Sequence, residues 1–327
     1  MPHWRARQGI GHVDLPNDQL LQALSARLGS MQAKQRLGIE HDHQAQMFGQ
    51  GLNVFHLENL PGARQLIAAV LVVSGLYWRG LRNAKDIRVV HNTIASSRLP
   101  KAFDGYTLLH LSDLHADLSD DITGEVARLA SGCDYDICVM TGDYRAQTSG
   151  PHDAALAGMR RIREALRGPI YGVLGNHDSA AMVLALESLG IRLLVNECID
   201  LNRSGERIHL AGIDDAHFFR LDNIEKAAAQ IPDSEFSILL SHTPEIYRQA
   251  AHAGFDIMLS GHTHGGQICL PGGIAVTLDS VLPRRLGSGA WRHAGMTGYT
   301  SRGAGCSIIP VRFNCPPEIT LHHLKSS

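Results

Sequence analysis

From Asp104 onward, short apolar runs end repeatedly in a polar or glycine-bearing turn: YTLLHLSD, DICVMTGD, IYGVLGNHD, RIHLAGIDD, FSILLSH and FDIMLSGH. Helical patterns occupy several of the intervals, at residues 121–130, 153–166, 180–189 and 244–253. Strands alternating with helices of this length predict an α/β domain with mostly parallel core strands. Residues 193–210 carry two strand-like runs with no helix between them, so part of the sheet is expected to be antiparallel. In open sheets of this kind ligands gather at the carboxyl ends of the strands.

Composition sets the class. A chain of 327 residues suffices for one large α/β domain or two ordinary ones. Thirty basic residues against thirty-two acidic ones leave no basic excess for a nucleic-acid partner. At 44% hydrophobic and 19% charged residues, the sequence is that of a globular protein and not of a disordered one. The six cysteines include no C-x-x-C pair and read as reduced core thiols. Nineteen histidines are an unusual number, but the count does not separate ligands from surface residues.

The N-terminal part differs in character. An amphipathic helix is expected around residues 18–37, followed by a Gly/Gln/His-rich stretch without periodicity up to residue 60. Arg5 and Arg7 are followed by no apolar core, so no secretory signal is expected. Residues 66–78, LIAAVLVVSGLYW, are thirteen uncharged residues, short of the roughly 20 that cross a bilayer as a helix. Arg79, Arg82, Lys85 and Arg88 follow as a basic cluster of the kind found beside anionic lipid. This run reads either as a membrane anchor or as an ordinary buried helix, and its length favours an interfacial anchor over a spanning one.

Five of the strand ends carry the chemistry. The first presents Asp113 and His115, which share one side if the backbone stays extended for two more residues. The second presents Asp143 after Gly142, a glycine suited to a tight bend. The third carries Gly175-Asn176-His177-Asp178, in which Asp178 also suits the N-cap region of the helix that follows. The fourth ends in His242, and the fifth in Gly261-His262-Thr263-His264-Gly265-Gly266. Taken singly, such residues are ordinary turn or core groups. Carboxylates and imidazoles crowded at five strand ends are costly unless a cation organises them.

These blocks resemble the D-x-H, G-D, G-N-H-[DE], H and G-H-x-H signature of the calcineurin-like metallophosphoesterases, in the right order over residues 104–325. The resemblance implies a four-layer αββα sandwich with two mixed β-sheets at 101–327, preceded by a helical and membrane-associating segment at 1–100. It also implies two divalent metal ions (Mn, Fe or Zn). By position, Asp113, His115, Asp143 and His264 would hold the first ion; Asp143 would bridge to the second, completed by Asn176, His242 and His262. His177 would be the catalytic proton donor or charge stabiliser. The protein-phosphatase branch carries a further Asp and an Arg where this chain has Ala146 and Gln147, which argues against protein phosphatase activity. Arg145 is a candidate phosphate contact from another offset, and Asp215 and His217 are candidate substrate contacts.

The run GHTHGGQICLP and the later Ser301–Gly305 and Cys315–Ile319 stretches resemble a bacterial, membrane-associated branch that includes UDP-2,3-diacylglucosamine hydrolases. The resemblance implies a phosphodiester or pyrophosphate substrate, lipid-linked, and a cytoplasmic enzyme that is peripheral to or anchored at the inner membrane. Residues 272–296, with Arg284, Arg285 and Arg292, would be a lid or a plain loop. The alternatives are a soluble cyclic-nucleotide or general phosphodiesterase, and a silent metal-binding scaffold.

Overall fold

A computed structural model describes residues 18–43 and 62–327. The first sheet takes β1 (Arg88–Ser96), β2 (Thr107–Leu111), β3 (Ile137–Met140), β4 (Ile170–Gly172) and β5 (Arg192–Leu193). The second takes β6 (Glu197–Arg203), β7 (Glu206–Gly212), β8 (Ser237–Leu240) and β9 (Ile257–Ser260). After a small hairpin of β10 (Cys269–Leu270) and β11 (Ile274–Ala275), β12 (Gly289–His293) and β13 (Met296–Thr300) complete the second sheet. The chain then returns to the first sheet as β14 (Glu318–Ser326). The orders are β1-β14-β2-β3-β4-β5 and β12-β13-β9-β8-β7-β6. Both sheets are mixed: β2, β3 and β4 run parallel, as do β7, β8 and β9, whereas β6 and β7 form the antiparallel pair expected within 193–210.

Side-chain alternation builds the layers. In β2, Leu108 packs between the sheets, and Leu109 and Leu111 pack outward on helices. In β8 and β9, Ile238, Leu240, Ile257 and Leu259 face that same inter-sheet core, and Leu239 and Met258 face the opposite way. This period of two, with both faces covered, is what keeps charge out of these strands. Helices α5 (Asp120–Ser131), α6 (Asp153–Ala165) and α7 (Ala181–Ser188) cover the first sheet; α8 (Ile224–Ala228) and α9 (Tyr247–His252) cover the second. The result is the expected αββα sandwich.

Three N-terminal features differ from expectation. The amphipathic helix is two helices, α1 (Asp18–Leu28) and α2 (Ser30–His43), separated at Gly29 with φ 92°. The apolar run is likewise divided into α3 (Ala63–Val73) and α4 (Tyr77–Lys85), with Gly75 at φ 72° between them. No helix among the described residues is long and apolar enough to cross a membrane. Neither is α3 a buried helix, since Leu66, Val70 and Val73 are exposed, Val73 by 90%. Finally, β1 lies ahead of the division expected at residue 100, yet it pairs in parallel with β14 along its whole length. The readings for 1–17 and 44–60 fall outside the described residues.

Candidate metal centre

Strands β2, β3 and β4 of one sheet and β8 and β9 of the other deliver their carboxyl ends to one place. Two groups of side chains meet there: Asp113, His115, Asp143 and His264, and Asp143, His242 and His262. Within each group the ligand atoms lie within 4.8 Å of one another. Asp143 belongs to both.

The expected extended continuation after β2 does not occur. Asp113 and His115 have φ of 52° and 40°, and Asp143, His262 and His264 have φ of 57°, 70° and 48°. Left-handed backbone at a residue with a Cβ costs about 1–3 kcal/mol each, and it persists where surrounding structure imposes it. Here the loops impose it on one another: the Asp113 and His115 amides donate to the Gly142 and Asp143 carbonyls, each at 3.0 Å. Gly142 makes its bend at φ 86°, as its place in the sequence suggested. At Gly261 a Cβ would overlap the Ser112 hydroxyl and the Asp113 carboxylate.

Backbone carbonyls orient the imidazoles. His115 Nδ1–H donates to Arg145 O at 2.8 Å, His242 Nδ1–H to Thr141 O at 2.6 Å and His262 Nε2–H to Asp279 O at 3.0 Å. A histidine that donates outward from one nitrogen presents the lone pair of the other inward, the arrangement typical of metal ligands. The remaining nitrogens crowd together: His115 Nε2 lies 3.2 Å from Nε2 of His264, whose Nδ1 accepts from the Arg312 guanidinium at 3.2 Å, and His262 Nδ1 lies 3.2 Å from His242 Nε2. Two ring nitrogens at that separation need a proton or a cation between them. The residues therefore fit a metal centre, and a donor set of N and O without thiolate suits Mn, Fe or Zn.

The charges agree. Burial pushes His115 below the usual histidine range, and burial together with the neighbouring His217 and His242 does the same for His262. Burial and the Arg312 guanidinium depress His264 well below that range. His242 is the exception: burial opposes its charge, but Asp143 and then Asp113 hold it up to about 10. Asp143 is resisted by burial and yet lies well below the carboxylate range, because His242, His177 and His115 surround it. A negative carboxylate that attracts positive charge at a buried position is where a cation would sit.

Comparison with known proteins agrees with this geometry. The calcineurin-like phosphoesterase family profile matches residues 106–266. The metallophosphoesterase YkuE of Bacillus subtilis (strain 168) is 32% identical over 253 residues, 74% of this chain and 86% of that protein. YkoQ of the same organism, also named a metallophosphoesterase, is 30% identical over 273 residues, 79% of this chain and 98% of that protein. The chain belongs to the calcineurin-like metallophosphoesterase family. A "transmembrane protein with metallophosphoesterase domain" from Danio rerio is 29% identical over 289 residues, 81% of this chain and 63% of that protein. This metallophosphoesterase is a metal-dependent phosphoester hydrolase.

Around its centre, the phosphoesterase places the remaining expected residues unequally. Asn176 Oδ1 lies 2.8 Å from His242 Nε2, within the second ligand group. His177 lines the cavity above Asp143, and its Nδ1–H donates to Ala146 O at 2.9 Å. The backbone of Ala146 thus does for His177 what an aspartate side chain would do at that position. Arg145 is buried, and its guanidinium donates to the carbonyls of His177, Thr148 and Gly150. It braces the His177 loop from inside and does not line the cavity. Asp215 is equally internal, accepting from the amides of His217, Phe218 and Phe219. His217 comes closer to the centre: its ring centroid is 4.1 Å from that of His262, and its Nδ1 pairs with Glu245 at 2.9 Å.

Two supports of the site were not legible in the motifs. Asp178 is not a helix cap; Ala180 holds that position, without a side-chain cap. The Asp178 carboxylate instead accepts from the amides of Asp143, Tyr144 and Gly175 at 2.8, 2.9 and 2.8 Å, clamping two ligand loops together. Arg36, from α2, is fully buried behind it. Its guanidinium donates to Asp178 O at 2.6 Å, lies 3.5 Å from Asp214 and stacks over Phe219 with Cζ 3.8 Å from the ring centroid. Removing one partner of a buried charge pair costs about 3–5 kcal/mol. Arg36→Ala is therefore expected to lower unfolding stability in urea by about that amount; an unchanged midpoint would refute the bracing role of α2.

Proposed function

We propose that the phosphoesterase hydrolyses a phosphodiester or pyrophosphate bond in a lipid-linked substrate of the UDP-2,3-diacylglucosamine type, at the surface of the inner membrane. One observation carries this reading: candidate ligand residues form the floor of a cavity of about 920 Å³ with many aliphatic side chains in its walls. Ile67 of α3, Val276, Leu278 and Val281 from the region read as a lid or a plain loop, and Ile308 and Ile309 line it, beside polar residues such as Arg284 and Gln267. A phosphate group gains nothing from aliphatic walls, whereas acyl chains bury their surface there. Leu66, Val70 and Val73 on α3, and Leu270 and Ile274 on the small hairpin, extend the apolar surface into solvent, with Arg79 and Arg82 exposed just beyond α3. An apolar helix face beside basic residues suits an anionic bilayer surface.

On this reading Asp113, His115, Asp143 and His264 hold one divalent ion, and Asn176, His242 and His262, sharing Asp143, hold a second. When bound, such a pair activates water and neutralises phosphoryl oxygens. The chain's own groups do the rest. His177, oriented by Ala146 O, donates a proton to the leaving group from Nε2 or stabilises charge developing there. His217, fixed by Glu245, stands at the edge of the second ligand group and contacts the substrate phosphate.

The test compares UDP-2,3-diacylglucosamine in anionic vesicles with bis-(p-nitrophenyl) phosphate in solution, both with added Mn²⁺. Leu66→Asp/Val70→Asp is expected to lose about tenfold or more on the vesicle-borne substrate, since each buried aliphatic side chain contributes roughly 1.5–3 kcal/mol. Hydrolysis of the soluble diester should not change. No turnover of the lipid by the wild type, or equal turnover of its deacylated form, would sink the lipid-linked reading and leave a general phosphodiesterase.

A further inference from the structure

Behind the metal-facing residues, β1, β14, β2 and β3 bury a second line of polar side chains that the ligand roles leave unused. His110 of β2 and His322 of β14 are fully buried, with their ring centroids 5.3 Å apart, and His322 packs edge-on against Tyr299. Asn92 Nδ2 lies 3.0 Å from His322 Nδ1, and His322 Nε2 lies 3.2 Å from His110 Nδ1. His110 Nε2 lies 2.9 Å from Thr141 Oγ1. The Thr141 hydroxyl donates to Ser112 Oγ at 2.6 Å, and Ser112 donates to Asp113 Oδ2 at 2.6 Å. The line runs from the edge strand of the sheet to a ligand carboxylate.

Chemistry gives this line a direction. An amide nitrogen only donates and a carboxylate only accepts. With Asn92 donating to His322 Nδ1, the His322 proton must sit on Nε2, where it donates to His110 Nδ1. The His110 proton is then on Nε2 and is donated to Thr141, whose single hydroxyl proton goes to Ser112, and that of Ser112 to Asp113. Each of the four members between Asn92 and Asp113 has one proton to give, and all five bonds point the same way. Burial agrees, since it pushes His110 down to about 3 and His322 well below the histidine range, leaving both rings neutral.

We propose that this one-way chain, Asn92 to His322 to His110 to Thr141 to Ser112 to Asp113, positions the Asp113 carboxylate as a metal ligand. Aligned hydrogen bonds polarise one another in a low-dielectric interior. The last of them, with the His262 amide 3.0 and 3.1 Å from the two carboxylate oxygens, fixes the rotamer that leaves Oδ1 3.5 Å from His264 Nε2. Asn92, His322, His110 and Thr141 are positioning residues: none touches substrate, and their side chains act only through Asp113, although the Thr141 carbonyl also orients His242. The inference rests on Asp113 being a metal ligand, whereas the direction of the chain does not.

Two measurements test it. Long-range ¹H–¹⁵N correlation at neutral pH should show His110 and His322 both protonated at Nε2 alone; an Nδ1–H tautomer or a charged ring at either position overturns the chain. In Mn²⁺ titrations of the full chain, Thr141→Val, which cuts the chain but keeps the side-chain shape, should weaken binding about tenfold or more, as lost outer-shell partners do. Thr141→Ser keeps the hydroxyl and should stay within about twofold of wild type. Wild-type affinity in Thr141→Val, or equal losses in both variants, overturns the proposal. Wild-type protein that takes up no Mn²⁺ refutes the metal reading of Asp113 itself, a failure the tautomer measurement distinguishes from that of the chain.

Discussion

Asp143→Asn is expected to abolish turnover of a diester substrate, by about 10³-fold or more, through loss of metal and not through loss of fold. The argument is positional. Asp143 is the one carboxylate common to both ligand groups. Its Oδ1 accepts the His177 amide at 3.0 Å, a bond that an asparagine oxygen can still accept, so the loop geometry survives. Its Oδ2 stands 3.4 Å from His242 Nε2, 3.7 Å from His115 Nε2 and 3.8 Å from His177 Nε2. An uncharged amide there offers a cation no net attraction and turns an N–H group toward three imidazole nitrogens. Metal content per chain should fall together with activity. Added Mn²⁺, which stabilises the wild type by about 2.7 kcal/mol at a hundredfold excess over Kd, should leave the variant's melting temperature unmoved. Full metal content with wild-type turnover would remove Asp143 from the centre.

His177→Ala is expected to do the reverse: metal content intact and turnover reduced by about 10²–10⁴-fold, the range of a positioned acid–base group. The size of the loss depends on the leaving group, and that dependence separates two roles. A proton donor matters most for an alkoxide and little for p-nitrophenolate, which departs without one. A group that only stabilises phosphoryl charge matters equally for both. The Nδ1–H bond to Ala146 O turns Nε2 toward the cavity, as a donor to the leaving oxygen requires. The loss should therefore be at least about tenfold larger with an alkyl diester than with bis-(p-nitrophenyl) phosphate. Near-wild-type turnover of both would exclude His177 from the reaction.

The residues that meet at the candidate centre could be picked out because each follows a short apolar strand and carries a side chain too costly to bury alone. The layered fold was legible for the same reason, through alternation of strand and helix. What could not be read was how the backbone holds those residues. The spacing of Asp113 and His115 suggested an extended pair, but both sit in left-handed conformations sustained by carbonyls of the next loop. The aspartate of the protein-phosphatase branch is absent at Ala146, and a main-chain carbonyl, which every residue possesses, holds His177 there instead. Asp178 looked like a helix cap because its three donors come from loops that only the folded sheet brings together. Arg36 carried no local signal, since its partner is 142 residues away. Arg145 illustrates the converse: an arginine in a ligand loop suggests phosphate, and burial turned it into internal scaffolding.

The position of β14 between β1 and β2 has a consequence for how the enzyme is made. The strand pairs with β1 on one side and β2 on the other, so the first sheet stays divided until residues 318–326 have emerged from the ribosome. Asp113 and His115 follow β2, and the neighbour that supports β2 on this side is made only after the other described strands of both sheets. Loss of those nine residues would leave β1 without a partner and β2 open along one edge, so a short segment far from the candidate centre in sequence closes the sheet on which that centre is built.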